Sequence, residues 1–266
     1  MVRLTCTLLA VAAFCSYPCV AQFTTTLQPR TVDEFDAYAQ RVEAELKQRR
    51  DGKRAFLAID DDPAERAQVL AGGLWIAPGN PNNPISIYKG LINDWIGAVF
   101  IPHTEMPKVL SILQDFNRHS QIHPNVKRSR LIRREGNNVT GFWRLEWKQP
   151  LLTVVLDVTQ DAHWQQVGPG KWVCQAYAKD IHEVEHPGTP DEKELPLGRG
   201  RGFLWSLYAY WNLEAIDGGV LAECRTLSLS RDIPASLAWA IQPFVDTLPR
   251  DALAGTLRDT RKAAMQ

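Results

Sequence analysis

GFLWSLYAYWNLEAIDGGVLAECRTLSLSR, residues 202–231, is the stretch that decides the fold. Two β-rich runs, Gly202 to Glu214 and Gly219 to Arg231, meet at Asp217-Gly218-Gly219, where glycine accepts the backbone angles of a tight reversal. A two-residue turn at Asp217-Gly218 pairs Asn212 with Glu223, Tyr210 with Arg225 and Tyr208 with Leu227. A helical segment then runs to the C-terminus. A hairpin that hands directly to a long helix is expected to curve a sheet around that helix, with apolar space between them.

Side chains alternate across a strand, so the first run separates into two faces. Phe203, Trp205, Leu207, Ala209, Trp211 and Leu213 form one; Leu204, Ser206, Tyr208, Tyr210, Asn212 and Glu214 form the other. We take the polar-aromatic set Tyr208, Tyr210, Asn212, Glu223 and Arg225 as the candidate ligand-binding lining, because apolar bodies with a few polar handles suit an amphipathic ligand. The converse facing, with the tryptophan set inward and the polar set as an exposed cross-strand ladder, fits the alternation equally well. Trp143 and Trp147 share a face of an upstream strand and either line the same pocket or fill the core.

Upstream of the hairpin the order is strand, helix, strands. Trp95 to Ile101 is a β-rich run, Thr104 to Phe116 a capped amphipathic helix, and Lys127 to Arg134, Val139 to Trp147, Leu151 to Gln165 and Lys171 to Glu185 are strands joined by short Gly, Asn and Pro turns. Short links imply an antiparallel meander. After the hairpin, Leu237, Ile241, Phe244, Val245 and Leu248 share a helical face; Pro243 is expected to kink that helix and Pro249 to begin a second segment carrying Leu253 and Leu257. A kink there either gates the apolar space or follows the curvature of the sheet.

GAVFIP (97–102) with the helix through Asp115-Phe116, IHPNVKRSRLI (122–132) and LSRDIPASLAWAIQPFVDTLP (229–249), in this order, resemble the START-like helix-grip (SRPBCC) superfamily. The resemblance covers about residues 95–262 and implies an α+β fold in which a curved antiparallel sheet of about seven strands wraps a long C-terminal helix. Members include lipid and sterol carriers, polyketide cyclases and aromatases, and ubiquinone-binding proteins, so the resemblance implies a hydrophobic small-molecule cavity between sheet and helix. It implies no cofactor.

Residues 22–84 lie outside that pattern and are expected to form an N-terminal helical extension and linker, with the main domain at 85–266. Thr31 to Arg50 carries Phe35, Tyr38, Val42 and Leu46 at helical spacing, a stripe suited to docking on the main domain or on a protein partner. A second helix is expected from Pro63 to Ala71. The preceding Asp60-Asp61-Asp62 suits a helix N-terminus better than a cation site.

The function expected is binding or carriage of a lipid, isoprenoid or aromatic metabolite. The alternatives are a cyclase- or hydrolase-like enzyme with Glu223 as acid or base, and an envelope interaction module that uses helix 31–50. The chain has no GxSxG elbow, and Ser228 and Ser230 are expected to satisfy local bonds. The pairs His119/His123 and His182/His186 lack the further ligands of a zinc site and are expected in solvent. Lys and Arg number 30 and Asp and Glu 30, a balance that makes no electrostatic case for nucleic acid; a transient membrane contact stays open. Residues 1–21 read as a secretory signal, with Arg3, an apolar run from Leu4 to Phe14 and a small-residue site ending at Ala21, so an exported, periplasmic or extracellular protein is expected. Of the cysteines left after cleavage, Cys174 and Cys224 are expected on strands separated by a third, which disfavours a disulfide.

Overall fold

A computed structural model describes residues 24–149, 152–232 and 238–266, with the backbone alone at 149, 152 and 238–246. The expected leader at 1–21 and the turn at Pro150 lie outside the described residues. In chain order the elements are β1 (Thr25–Thr26), α1 (Pro29–Arg50), a 3-10 turn (Ala58–Asp61), α2 (Pro63–Leu70), β2 (Leu74–Pro78), β3 (Ile85–Ile87) and β4 (Gly90–Pro102). There follow α3 (Met106–Gln114), α4 (His119–Ile122), β5 (Val126–Glu135), β6 (Asn138–Gln149), β7 (Leu152–Gly168), β8 (Lys171–Glu185), β9 (Lys193–Glu194), β10 (Arg199–Gly200), β11 (Ser206–Ile216), β12 (Gly219–Arg231) and α5 (Ala238–Ala264).

The main sheet runs β2-β4-β12-β11-β8-β7-β6-β5, antiparallel throughout. The strand preceding the helical insertion thus sits beside the last strand, and the C-terminal helix packs back across it: the helix-grip arrangement. The hairpin register is the expected one, with Asn212 opposite Glu223, Tyr210 opposite Arg225 and Tyr208 opposite Leu227. β2, within the segment expected as extension and linker, pairs with β4 and lengthens the sheet at that edge.

Two layers of helix cover the two faces. On the concave face α5 seats Leu253 and Leu257 with Val109 and Ile112 of α3 against Val99, Ile101, Val220 and Ala222. Gly97 is small because α5 and β2 meet there: a Cβ would lie 2.8 Å from Leu257 Cδ1 and would also collide with Ile76. α5 continues through Pro249 as one helix, not as the two segments expected. Proline removes one helical hydrogen bond, and the seating of Leu253 and Leu257 on the sheet outweighs that loss. On the convex face α1 lays Phe35, Tyr38, Val42 and Leu46 on Ile92, Tyr208, Tyr210, Leu227 and Leu229. Its apolar stripe is therefore spent on its own sheet.

The acidic triplet is used locally. Asp60 pairs with Arg66 at 2.7 Å, Asp61 with Arg49 at 2.5 Å and Arg54 at 2.6 Å, and Asp62 caps α2 by accepting the Ala64 and Glu65 N–H groups. Cys174 and Cys224 are free, buried thiols on either side of Trp211, which is the partner of both across the ladder.

Candidate functional site

The register aligns the concave-facing side chains in rows that cross the strands. One row reads Gly141, Gln160, Ala178, Leu207, Ser228 and Asn93; the next reads Val139, Ala162, Ala176, Ala209, Thr226 and Trp95. Alanine at the middle of both rows, Ala178 in the first and Ala176 with Ala209 in the second, keeps the sheet floor low. Around this floor Leu207, Ala209, Thr226, Trp95 and Trp143 are only half buried, whereas Cys174, Trp211 and Cys224 in the adjoining row are buried beneath the seated part of α5. The half-covered side chains outline the candidate cleft of the concave face, ahead of the point where Leu253 and Leu257 close the core; Ala176 and Ala178 beneath them are themselves buried.

Several polar groups in this cleft lack a protein partner among the described residues. The Nε1–H of Trp95 and the Oγ of Ser230 are buried with no hydrogen bond. The Ser230 hydroxyl therefore does not make the local bond expected of it. Asn93 and Gln160 are also buried. The sequence signal for these residues was present: Thr226, Ser228 and Ser230 alternate on the face opposite to Glu223 and Arg225.

The structure corrects the facing taken for the polar-aromatic set. Tyr208, Tyr210, Asn212, Glu223 and Arg225 project from the convex face, under α1 and the 3-10 turn. The Tyr208 hydroxyl donates to Asp36 at 3.1 Å, and Tyr210 and Tyr177 donate to Glu43 at 3.0 and 2.7 Å. Arg225 donates twice to Asp94, at 2.8 and 2.6 Å, and to Glu45 at 2.9 Å. Tyr38 donates to the same Asp94 at 2.7 Å, and burial followed by that carboxylate pushes its phenol up to about 12. Glu223 accepts from the Ile59 N–H at 3.0 Å and from Asn212 at 3.4 Å, and full burial raises its carboxyl above the usual range. These residues bind the N-terminal segment to the sheet. Sealed beneath residues 58–59, Glu223 has no route to the concave cleft, so the acid-base role considered for it there has no geometric support.

A half-open groove of about 470 Å³ remains between α1 and the convex face, lined by Asp36, Glu43, Tyr177, Lys179, Asp180 and Tyr208. Of its carboxylates, Asp36 and Glu43 already accept tyrosine hydroxyls, and Lys179 lies 5.6 Å from the centre of the Tyr208 ring.

Trp143 and Trp147 lie on the concave face, as their alternation required of a shared face. Trp143 stacks on Phe116 with ring centres 5.2 Å apart and donates from Nε1 to His119 Nδ1 at 2.9 Å. Phe116 occupies the space above Gly141, where a Cβ would overlap its ring. Trp147 packs against a further apolar cluster, around Leu145, Val154 and Leu156. His119 and His123 are not in solvent as expected, because Phe116, Trp143 and α5 enclose them. With Nδ1 accepting from Trp143, His119 carries its proton on Nε2, which faces the Ile112 carbonyl at 3.2 Å. Among the described residues no three His, Cys, Asp or Glu side chains converge on a metal-sized site.

Burial holds both imidazoles down to about 4. Between about pH 6.5 and 4 the unfolded chain therefore binds protons that the folded chain refuses, and folding stability must fall as pH is lowered through that window. For His119 alone the loss approaches about 3 kcal/mol. Glu223, whose folded carboxyl is raised, acts with the opposite sign. Comparing urea unfolding of wild type and His119→Gln at pH 7 and pH 4.5 isolates the histidine: the variant should lose markedly less stability on acidification, and equal losses would refute the assignment.

No protein-family model matches the chain, and no curated protein matches it. Solved structures similar to it include a STAR-related lipid transfer protein (fragment 25–204) from Xanthomonas axonopodis, 18% identical, covering 73% of this chain and 99% of that one with a TM-score of 0.49. Human STARD10 is 13% identical over 77% of this chain and 79% of its own, with a TM-score of 0.42. The Zhui aromatase/cyclase from Streptomyces sp. R1128 is 9% identical over 65% and 93%, with a TM-score of 0.41.

Proposed function

We propose that the protein binds or carries a hydrophobic or amphipathic small molecule, of the lipid, isoprenoid or aromatic class, in the cleft between the concave sheet face and α5. The observation that carries this is the half-covered patch of Trp95, Leu207, Ala209 and Trp143 on a sheet face kept low by the small residues Ala176 and Ala178. Apolar surface left partly open on this face is surface a ligand can bury. Each Å² covered contributes roughly 25 cal/mol before the costs of ordering. Export, from the character of residues 1–21, belongs to the same proposal: a carrier outside the cytoplasm would meet its ligand at or between membranes.

The test is to purify the protein from its native host under mild conditions and to analyse the organic extract by mass spectrometry. A stoichiometric apolar compound is the expected result. Protein that emerges empty and takes up no long-chain probe, read by quenching of its tryptophan fluorescence, overturns the proposal.

A further inference from the structure

The concave cleft is polar at one place only along β4 and β12, and that place has a definite chemistry. Asn93 and Trp95 on β4 face Ser228 and Thr226 on β12, with Ser230 one step further along. Asn93 is 3% exposed, Ser228 9% and Ser230 8%, and the Ser230 Oγ is buried with no hydrogen-bond partner among the described residues. The buried Trp95 Nε1–H likewise has no partner. Buried polar groups are paired in folded proteins, because each one left unpaired loses its bonds to water without replacement. Two unpaired buried groups on adjacent strands, Trp95 Nε1–H and Ser230 Oγ, with the Asn93 and Ser228 side chains between them, are therefore a receptor for polar atoms that the chain does not itself supply.

Two features define those atoms. Trp95 can only donate, while asparagine and serine can donate or accept, so the group they receive must include an acceptor oxygen. Charge complementarity is lacking: the concave-facing residues of β4 (Leu91, Asn93, Trp95, Gly97, Val99, Ile101), those of β12 (Val220 to Ser230, alternate residues) and those of β11 (Leu207, Ala209, Trp211, Leu213) include no ionisable side chain except the Cys224 thiol, which burial keeps neutral. Glu183, a carboxylate on the same sheet face near its far end, is occupied by the N–H groups of Arg201, Gly202 and Phe203 at 2.7, 2.7 and 3.0 Å. A carboxylate or phosphate drawn into this cleft would lose its water and meet no cation, and such burial is strongly unfavourable.

From this geometry we infer that the ligand is an uncharged amphiphile whose oxygen function, a hydroxyl or a ketone or ester carbonyl, is held by Asn93, Trp95, Ser228 and Ser230. A carboxylate or phosphate head is disfavoured at the same place for want of a cation. The inference rests on the proposed use of the concave cleft and adds to it the class of ligand and the residues that select it.

Three probes with the same brominated long chain separate the two claims: 9,10-dibromostearyl alcohol, 9,10-dibromostearate and 9,10-dibromooctadecane, each titrated into the full chain at pH 8 with tryptophan quenching as readout. The expected result is saturable quenching by the alcohol, at least about tenfold tighter than by the carboxylate and severalfold tighter than by the hydrocarbon. Asn93→Leu should remove the preference for alcohol over hydrocarbon while binding of the hydrocarbon persists; Ser230→Ala, a smaller change, should reduce it in the same direction if Asn93→Leu does not fold. Quenching by none of the three overturns the cleft itself. Binding in which the carboxylate equals or exceeds the alcohol, or in which both variants keep the wild-type preference, leaves the cleft standing and overturns the selection of an uncharged head.

Discussion

Arg225→Leu should lower the unfolding free energy by about 3–5 kcal/mol, the effect of stripping one partner from a buried ion pair. Asp94 has no exposed side-chain surface, and its two oxygens are occupied by the Arg225 fork and the Tyr38 hydroxyl. Without the guanidinium the carboxylate stays buried with one phenol for company, and water cannot reach it without lifting α1. Arg225 also holds Glu45 of α1 and the Gly79 carbonyl, so three segments lose a common anchor. Urea denaturation gives the free energy, and limited proteolysis within residues 29–61 should show α1 released first. The double variant Arg225→Leu/Asp94→Asn should be less destabilised than the sum of its single changes, because removing the second charge removes the penalty that the first change creates. A loss below about 1 kcal/mol for Arg225→Leu would mean that the pair is solvated and that α1 is held by its apolar stripe alone.

Leu257→Ala should cost about 2–5 kcal/mol, the range for a leucine truncated in a closed core. Leu257 is fully buried and rests on Gly97, the point at which α5 touches the strands. The loss falls on the helix that covers the cleft, so the variant should also bind the brominated alcohol more weakly although no cleft residue has changed. Gly97→Ala in wild type forces a methyl group toward Leu257 Cδ1 and Ile76; placed in the Leu257→Ala background it fills part of the vacated space, and the two changes should be strongly non-additive. Thermal unfolding of the two single variants and the double variant reads the coupling. Additive losses would show that α5 does not bear on the sheet through this contact.

Much of this fold was legible because its signals are local. Asp217-Gly218 sets the hairpin register by turn geometry, and the pairs Asn212–Glu223 and Tyr210–Arg225 follow from counting outward. The stripe on α1 and the strand-helix-meander-helix order read directly from periods of 3.6 and 2. His119 was misplaced for a reason that spacing cannot reveal: it is buried because Phe116 and Trp143, the latter 24 residues further along the chain, close over it, whereas His186 is exposed as expected. Pro249 did not break α5, since seating on a distant sheet decides whether one missing hydrogen bond ends a helix.

The sequence by itself determined that β11 and β12 each present two chemically distinct faces, and which residues share each one. Only the tertiary structure decided which face meets α5. Alternation assigns a side to every residue without saying what covers that side, and here both sides are covered: α1 and the 3-10 turn lie over Tyr210, Glu223 and Arg225, and α5 over Trp211 and Ala222. A polar face opposite an apolar one ordinarily indicates solvent against core. In this chain the polar face is buried too, because Glu43, Glu45 and Ile59 of the N-terminal segment meet its tyrosines, arginine and glutamate, and the open cleft is left to the small and uncharged residues on the other side.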